Sequence, residues 1–383
     1  MPHARQQTDQ PVSGTKGFRS ASPFVTRFAL GVVVVSALIA SAGCTKARSS
    51  AEPSTLGSSK PASAPASSPV AAASSGSSSP SASNSSGLDP LTGLAASAPG
   101  AATRPALGVK VDNVAGAMPQ AGLNQADIVF EVPVEGGLTR LLAVFHSQDA
   151  PLIGPVRSAR PVDADILGLF GKTYFAFSGG SKTDLAPNTT SSNITPMWWD
   201  VTPSLFVTRK DHAVPHQVFA NSATLYAGGE SRKALKTPPS AVFTFNATAP
   251  VGAVAATSVT AGYDAATASW AWDGRTYLRT QNGKSDVLMD GGQVTATNVV
   301  VMSVSVQGTA ARDAHGSVVP LPVMTGSGTV WVFRNGVMEK GIWSRASKSA
   351  PMKLLTSTGQ VIALAPGRTW VEVLPNSSRP VVK

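Results

Sequence analysis

The sequence predicts an α+β fold, in which a mixed α/β domain over 89–240 precedes a smaller, β-rich antiparallel domain over 241–383. Three observations predict it. Apolar residues alternate over 128–134 and continue over 138–145, which is typical of neighbouring strands. A proline opens the apolar segment 161–170, as at many helix N-termini. Asp-Gly and Asn-Gly dipeptides separate short β-prone runs in the second half, and these are hairpin signals.

The first 43 residues have the organisation of an export signal. Basic residues precede an uncharged apolar run over 28–43, which is short for a spanning helix of about 20 residues and typical of a secretory signal. Small residues then lead to Cys44, the single cysteine of the chain. This order resembles the lipobox of bacterial lipoproteins, although Ser41 stands where leucine is usual. We expect residues 1–43 to be removed and Cys44 to be acylated.

Acylation of Cys44 would anchor an exported chain to the outer face of the cell membrane. A plain signal peptide or a signal anchor with an idle thiol is the alternative. Residues 44–88 are almost entirely Ser, Ala, Pro and Gly, a composition that buries too little apolar surface to fold. We expect them to form a disordered tether between the membrane and the folded domains.

Composition excludes several classes of protein. The formal net charge is +10, but the leader and the tether hold half of it, and no Lys/Arg cluster indicates nucleic-acid binding. One cysteine excludes an intramolecular disulfide and a zinc site built on several thiolates. The sequence contains neither a Walker motif nor a dinucleotide-binding motif, so we expect no cofactor. His212 and His216 have zinc-like spacing, but Pro215 lies between them, so no metal site is expected.

The predicted strand over 128–135 carries acidic residues on one face. Ile128, Phe130 and Val132 would face the core, whereas Glu131 and Glu135 would lie on the other side, with Arg140 near Glu135. Two carboxylates four residues apart on a strand are separated by about 13 Å, too far for a glycosidase pair. They would either pair with arginines in a structural network or contact a ligand.

Arg157, Ser158 and Arg160 form the densest polar motif. The prolines at 155 and 161 exclude a helix interior and place Arg160 at the start of the predicted helix. Guanidinium groups beside a helix N-terminus are suited to a carboxylate or phosphate. Pairing with nearby Asp or Glu residues is the alternative interpretation.

Ser178, Gly179 and Gly180 follow the apolar strand 174–177. Glycines permit close approach of the backbone to an anion, although a simple turn is equally consistent with the pattern. His216 would form a local hydrogen bond or act as a neutral acceptor in a cleft. In the second half, recurring tryptophans predict core packing rather than a sugar-stacking platform.

Several segments resemble the YerB-like bacterial lipoprotein family. They include Asp89-Pro90-Leu91-Thr92-Gly93 and the segments 104–113, 126–145, 154–160, 178–181, 270–284, 298–301, 341–344 and 366–370. The family pattern has Pro-His-Asn where this chain has Pro215-His216-Gln217. The resemblance implies an exported, lipid-anchored protein with two domains, and it implies no established reaction.

These observations favour a membrane-anchored protein that binds an anionic or carbohydrate-containing ligand of the cell envelope. The candidate ligand-binding residues are Asp112, Asn113, Glu131, Glu135, Arg140, Arg157, Ser158, Arg160, Ser178, Gly179, Gly180 and His216. A cell-wall hydrolase or transferase with Glu131 or Glu135 as general base is one alternative, but the sequence shows no nucleophile or spaced carboxylate pair. The other alternative is a protein-interaction subunit that binds partner proteins through its β-rich domain.

Overall fold

The computed structural model describes residues 87–232, 237–313 and 316–383, which form mostly β-strand with a few helices. The predicted α+β fold class is therefore confirmed. The predicted signal over 1–43, Cys44 and nearly all of the predicted tether lie outside the described residues. Within the described ranges, no helix is both long and apolar enough to cross a membrane.

The first region contains seven strands and three helices among its described residues. The strands are β1 (Ala106–Asp112), β2 (Ile128–Pro133), β3 (Thr139–Phe145), β4 (Thr173–Phe177), β5 (Ile194–Trp198), β6 (Val207–Thr208) and β7 (Val218–Phe219). The helices are α1 (Pro161–Leu167), α2 (Lys182–Thr190) and α3 (Ser222–Glu230). Short 3₁₀ turns at Glu135–Gly137 and Gly168–Phe170 follow β2 and α1.

The described part of the second region contains strands and no helix. They are β8 (Val254–Ala255), β9 (Ser258–Gly262), β10 (Thr267–Trp272), β11 (Tyr277–Gln281), β12 (Lys284–Ser285), β13 (Thr295–Ala296), β14 (Asn298–Val304), β15 (Val306–Arg312), β16 (Val318–Pro322), β17 (Gly326–Arg334), β18 (Val337–Arg345), β19 (Lys353–Leu355), β20 (Thr369–Pro375) and β21 (Val381–Val382). The Asn-Gly and Asp-Gly dipeptides lie between paired strands, as their turn propensity predicts.

Strands from both regions join in one sheet of eleven strands among the described residues. Its order is β19-β18-β17-β14-β20-β2-β3-β1-β4-β5, with β8 beside β18. Strand β20 lies in the middle and pairs in parallel with β2 on one side and β14 on the other. Because its residues from Thr369 to Leu374 are all buried, β20 suits a position covered on both faces.

Each face of this sheet has its own apolar core. Helices α1 and α2 cover one face, where Phe130, Ile166 and Phe170 are buried together. Helix α3 and a six-stranded sheet that contains β9, β10 and β11 cover the other face. Trp270 and Trp370 pack edge to face there, with ring centroids 5.1 Å apart. These tryptophans belong to the core, as predicted, and are not available as a sugar platform.

A buried polar network joins β2 to the six-stranded sheet. The Arg279 guanidinium donates to Glu131 Oε2 at 2.6 Å and pairs with Asp286, and all three side chains are buried. Tyr263 and the Trp270 indole each donate to Glu372 at 2.8 Å. The predicted acidic outer face of β2 is therefore wrong at Glu131, because the second sheet covers that face and encloses the carboxylate.

This network makes stability depend on pH. Burial, and then the Glu131 carboxylate, raise the pKa of Glu372 to about 8 from an ordinary 4.5. The folded state therefore holds the proton of Glu372 more tightly than the unfolded state does. The stabilisation that this proton gives is complete below pH 4.5 and is lost as pH rises through 8. The free energy of unfolding should fall by about 1 kcal/mol per unit between pH 6.5 and 8.

Glu372→Gln isolates that contribution. Urea unfolding at several pH values should show a flatter profile for the variant and greater stability than the wild type at pH 8. Burial, and then the nearby Asp89, also raise the pKa of Asp127, to about 6. The pH range for Glu372 therefore starts at 6.5, where Asp127 contributes less to the slope. An unchanged slope in Glu372→Gln would assign the pH dependence to other groups.

Candidate functional site

A cavity of about 500 Å³ opens beside the end of β1 and the start of β3. Among the described residues that line it are seven of the twelve predicted ones: Asp112, Glu135, Arg140, Arg157, Ser158, Arg160 and Gly180. Asp112 and Arg140 are partners in the antiparallel register of β1 and β3. The segment that carries Arg157 runs along β1, since Arg157 N donates to Lys110 O at 2.8 Å. The sheet therefore gathers arginines that are distant in sequence.

Arg160 forms an internal ion pair within the fold. Its Nε lies 2.6 Å from Glu135 Oε1 and its Nη2 donates to Glu135 Oε2 at 2.8 Å, a two-point ion pair between buried side chains. Asp184 lies 3.6 Å from Arg160 Nη1. Both neighbours are acidic, so the charge of Arg160 is already neutralised within the fold. Glu135, held in this pair, is poorly suited to act as a general base.

The start of α1 is also internally satisfied. Helix α1 begins at Pro161, close to the predicted position. Asp163 Oδ2 accepts from Arg160 N at 2.7 Å, and Asp163 Oδ1 pairs with the fully buried Lys110 ammonium at 2.7 Å. The carboxylate of Asp163 therefore already occupies the N–H of Arg160 at this helix end, where the sequence predicted an anionic ligand. Attraction for an anion would have to come from the arginine side chains, which share the cavity lining with Asp112, Glu135, Asp184 and Asp313.

Arg157 and His216 share one carboxylate. Asp112 Oδ2 lies 2.8 Å from Arg157 Nε and 2.9 Å from His216 Nδ1, while Asp112 Oδ1 accepts from Asn113 N at 3.0 Å. Asp112 is buried, whereas the Arg157 side chain is 25% exposed. In the described part of the chain, neither terminal nitrogen of Arg157 donates to another group. Asp112 thus holds Arg157 by its Nε and leaves its outer edge open.

Arg140 differs from its neighbours because it has no acidic partner within ion-pair distance among the described residues. Its Nη1 donates only to Ser158 O, at 3.3 Å. Burial, and then repulsion from Arg160, lower the pKa of Arg140 to about 10. The group therefore stays charged at neutral pH, although its positive charge is costly to hold there.

Five predicted residues lie behind or beside the cavity. Asn113 Nδ2 donates to Glu131 Oε1 at 3.0 Å, and both side chains are enclosed in the buried network. Ser178 N donates to Arg157 O and Gly179 O accepts from Ala159 N, so these two residues hold the arginine segment in place. His216 contacts Asp112 from outside the lining. Glu131 is ion-paired with Arg279 and cannot readily serve as a base.

The structure adds lining residues that sequence reasoning missed. Arg312 and Asp313, at the tip of the β15–β16 hairpin, reach the cavity from the second region. Arg312 is exposed and its Nη1 donates to Gly316 O at 3.0 Å. Ser181 and Asp184 cap the start of α2, and their three-residue spacing is a recognisable capping signal. No local signal marks Arg312.

The two histidines with zinc-like spacing, His212 and His216, have separate partners. His212 Nε2 lies 3.2 Å from Pro119 O, whereas His216 contacts Asp112, so the two histidines have different partners. They lie on a loop between β6 and β7 rather than on a helix. Across the described ranges, no group of three or more His, Cys, Asp or Glu side chains is arranged to hold a metal ion.

Comparisons with known proteins agree with this architecture. Residues 91–235 match the family described as "Protein of unknown function (DUF3048) N-terminal domain", and residues 257–371 match its C-terminal domain. The chain is 42% identical over 98 residues to the Bacillus subtilis (strain 168) protein "Putative lipoprotein YerB". That alignment covers 25% of this chain and 29% of the relative's length.

A crystal structure of the YerB protein from Bacillus subtilis has a similar fold. The TM-score is 0.67 at 24% sequence identity, and the alignment covers 77% of this chain and 99% of that chain. At this identity the likeness concerns the fold alone. The two matching domain models and the shared fold confirm the two-domain family resemblance that the motifs predict.

Proposed function

The chain belongs to the YerB-like family with two DUF3048 domains, and on this premise we propose that it is an exported lipoprotein that binds an anionic ligand of the cell envelope. Its anchor would be an acylated Cys44, which lies outside the described residues. The binding site would be the cavity beside Arg140 and Arg157. The ligand would present a phosphate or carboxylate group to their guanidiniums.

One observation carries this proposal: Arg140 keeps a charged guanidinium at the wall of an open cavity without an ion-paired carboxylate in the described chain. Arg140 is half-buried, and a charge that is partly removed from water without a partner is costly because of its desolvation. An anionic ligand would supply that partner.

The other charges around the cavity are consistent with this role. Glu135 is held by Arg160, and Asp112 is shared by Arg157 and His216. The internal carboxylates are thus already occupied, which leaves Arg140 and the outer edge of Arg157 to a ligand. Ser158 lines the same cavity and adds a hydroxyl donor, whereas the Ser181 hydroxyl already donates to Asp184. An arginine edge can hold phosphate or carboxylate with two parallel hydrogen bonds.

Calorimetric titration with inorganic phosphate and with glycerol phosphate tests the proposal. Arg140→Gln should weaken binding at least about tenfold, because a hydrogen bond to a charged group contributes about 1.5–3 kcal/mol. The same change should leave the stability of the ligand-free protein nearly unaltered or slightly increased, since it relieves repulsion from Arg160.

Two matched variants complete the experiment. Arg275→Gln removes the same charge from an exposed hairpin turn and should leave phosphate affinity unchanged. Arg160→Gln should lower the free energy of unfolding by about 3 kcal/mol, because it leaves Glu135 unpaired and buried. Equal phosphate affinity in the wild type and in Arg140→Gln, or a strong loss of stability in Arg140→Gln, would contradict the proposal.

A further inference from the structure

The cavity beside Arg140 has an apolar wall as well as charged groups. Among the described residues that line it, three carry aliphatic side chains, namely Val114, Val134 and Leu138. Leu138 is 37% exposed and Val114 is half-buried, so both present apolar surface to water, whereas Val134 is 5% exposed. A lone exposed leucine is common on protein surfaces. Three aliphatic side chains in one charged cavity are less usual, and their place in the sheet decides what they can contact.

The backbone places the side chain of Leu138 on the same side of β3 as that of Arg140. Leu138 is extended, with φ −81° and ψ 175°. Thr139, which lies between the two, is buried and its hydroxyl donates to Glu131 Oε1 at 2.8 Å in the network behind the sheet. Successive side chains of an extended chain point to opposite faces, so positions 138 and 140 share one face, about 7 Å apart along the strand.

The neighbouring strands continue this arrangement. Val134 N donates to Leu138 O at 2.8 Å, so Val134 lies beside Leu138 across the turn between β2 and β3. On the other side, Asp112 of β1 is the register partner of Arg140. Val114 is two residues beyond Asp112, and its backbone is also extended, with φ −94° and ψ 161°. Val134, Leu138 and Val114 thus form an aliphatic row that runs alongside the charged pair Arg140 and Asp112.

An inorganic anion held by Arg140 and Arg157 would leave the aliphatic row in contact with water. An aliphatic group attached directly to the anion would cover the row, because the distance between row and arginine is that of a few carbon atoms. Each methylene that leaves water in this way favours binding. A hydroxyl group in the same place would lose water without gaining a partner, since the side chains of the row offer no hydrogen bond.

We propose that the ligand of this cavity is a phosphate monoester with an aliphatic group, its phosphate at Arg140 and Arg157 and its alkyl chain on the aliphatic row. This inference rests on the proposed anion site and adds the chemical class of the ligand. A phosphate monoester presents three terminal oxygens, which suit two arginines and the Ser158 hydroxyl better than the two oxygens of a carboxylate. The cavity volume of about 500 Å³ is typical of small-molecule sites.

Calorimetric titration with butyl phosphate and with glycerol phosphate tests the inference, because the two compounds share the phosphate and differ in their hydroxyl groups. The wild type should bind butyl phosphate about tenfold more tightly. Leu138→Asn keeps a side chain of similar size but removes its apolar surface, so this preference should fall to about threefold or less. Leu94→Asn makes the same change at an exposed position outside the cavity lining and should keep the preference of the wild type.

Inorganic phosphate separates this inference from the proposed function. If it binds and depends on Arg140 while butyl phosphate and glycerol phosphate bind equally well, the anion site stands and the aliphatic class of ligand is wrong. A preference for butyl phosphate that is undiminished in Leu138→Asn would also overturn the inference, because the alkyl chain would then lie elsewhere. Failure of all three phosphates to bind the wild type would contradict the proposed function and this inference together.

Discussion

Replacing Arg279 with methionine should lower the free energy of unfolding by about 3–5 kcal/mol, because it strands buried carboxylates without their cation. Arg279 is fully buried, as is Glu131, which it contacts at 2.6 Å. Burial opposes the charge of Arg279, yet Glu131, Asp286 and Glu372 together raise its pKa above the ordinary value. The measurement is urea unfolding at pH 7, followed by circular dichroism and tryptophan fluorescence.

Two further variants show whether the loss comes from the unpaired charges. Arg275→Met lies on the turn of the same hairpin and is exposed, so its effect should stay within about 0.5 kcal/mol. Adding Glu131→Gln and Asp286→Asn to Arg279→Met removes the stranded charges and should recover much of the stability. A loss below about 1 kcal/mol for Arg279→Met alone would contradict the assigned network.

Cys44→Ala should release the protein from the membrane. Cys44 follows the small residues over 40–43, and the expected acylation would supply the chains that hold a lipoprotein in a bilayer. Fractionation of cells should find wild-type protein in the membrane pellet and the variant in the soluble or secreted fraction. Globomycin, which blocks the lipoprotein signal peptidase, should slow the mobility of the wild type alone.

Ser41→Leu serves as the matched control for this prediction. It changes the same short segment but strengthens the resemblance to a lipobox, so it should keep the protein in the membrane fraction. If Cys44→Ala stays in the pellet after washing with high salt, the cysteine is not the anchor. The alternative of a retained apolar segment would then apply.

Local patterns predict part of the secondary structure near the site, namely β2, β3, β4 and the start of α1, but not β1 or α2. The alternation over 128–134 corresponds to β2, whose Ile128, Phe130 and Val132 all lie in one apolar core. Pro161 marks the start of α1, and the hairpin dipeptides mark turns in the second region. These signals succeed because periodicity, proline geometry and turn propensity act over a few residues.

Such local patterns do not predict which distant segments contact each other. Strand β20 is a mostly apolar run, which is typical of a buried strand but does not identify β2 and β14 as its neighbours. Glu131 and Glu135 look alike on the predicted strand, but Glu131 meets Arg279 from 148 residues away and Glu135 meets Arg160. The charges on a strand do not reveal what covers it.

The arginines illustrate the same limit within the site. Arg157 and Arg160 are three residues apart in the sequence. From the sequence alone, either arginine could form an internal ion pair or contact a ligand. The structure separates them, since Arg160 is neutralised by Glu135 whereas Arg157 keeps an open edge. Arg140 stands out only when its missing acidic partner among the described residues is known.

The most direct test of anion binding observes the guanidiniums themselves by nitrogen-detected NMR during titration with inorganic phosphate. Resonances of Arg140 and Arg157 should shift together along one saturation curve, while that of the enclosed Arg279 stays in place. An Arg140 resonance that does not move, or that moves linearly along with those of all exposed arginines, would mean that the cavity has no specific anion site.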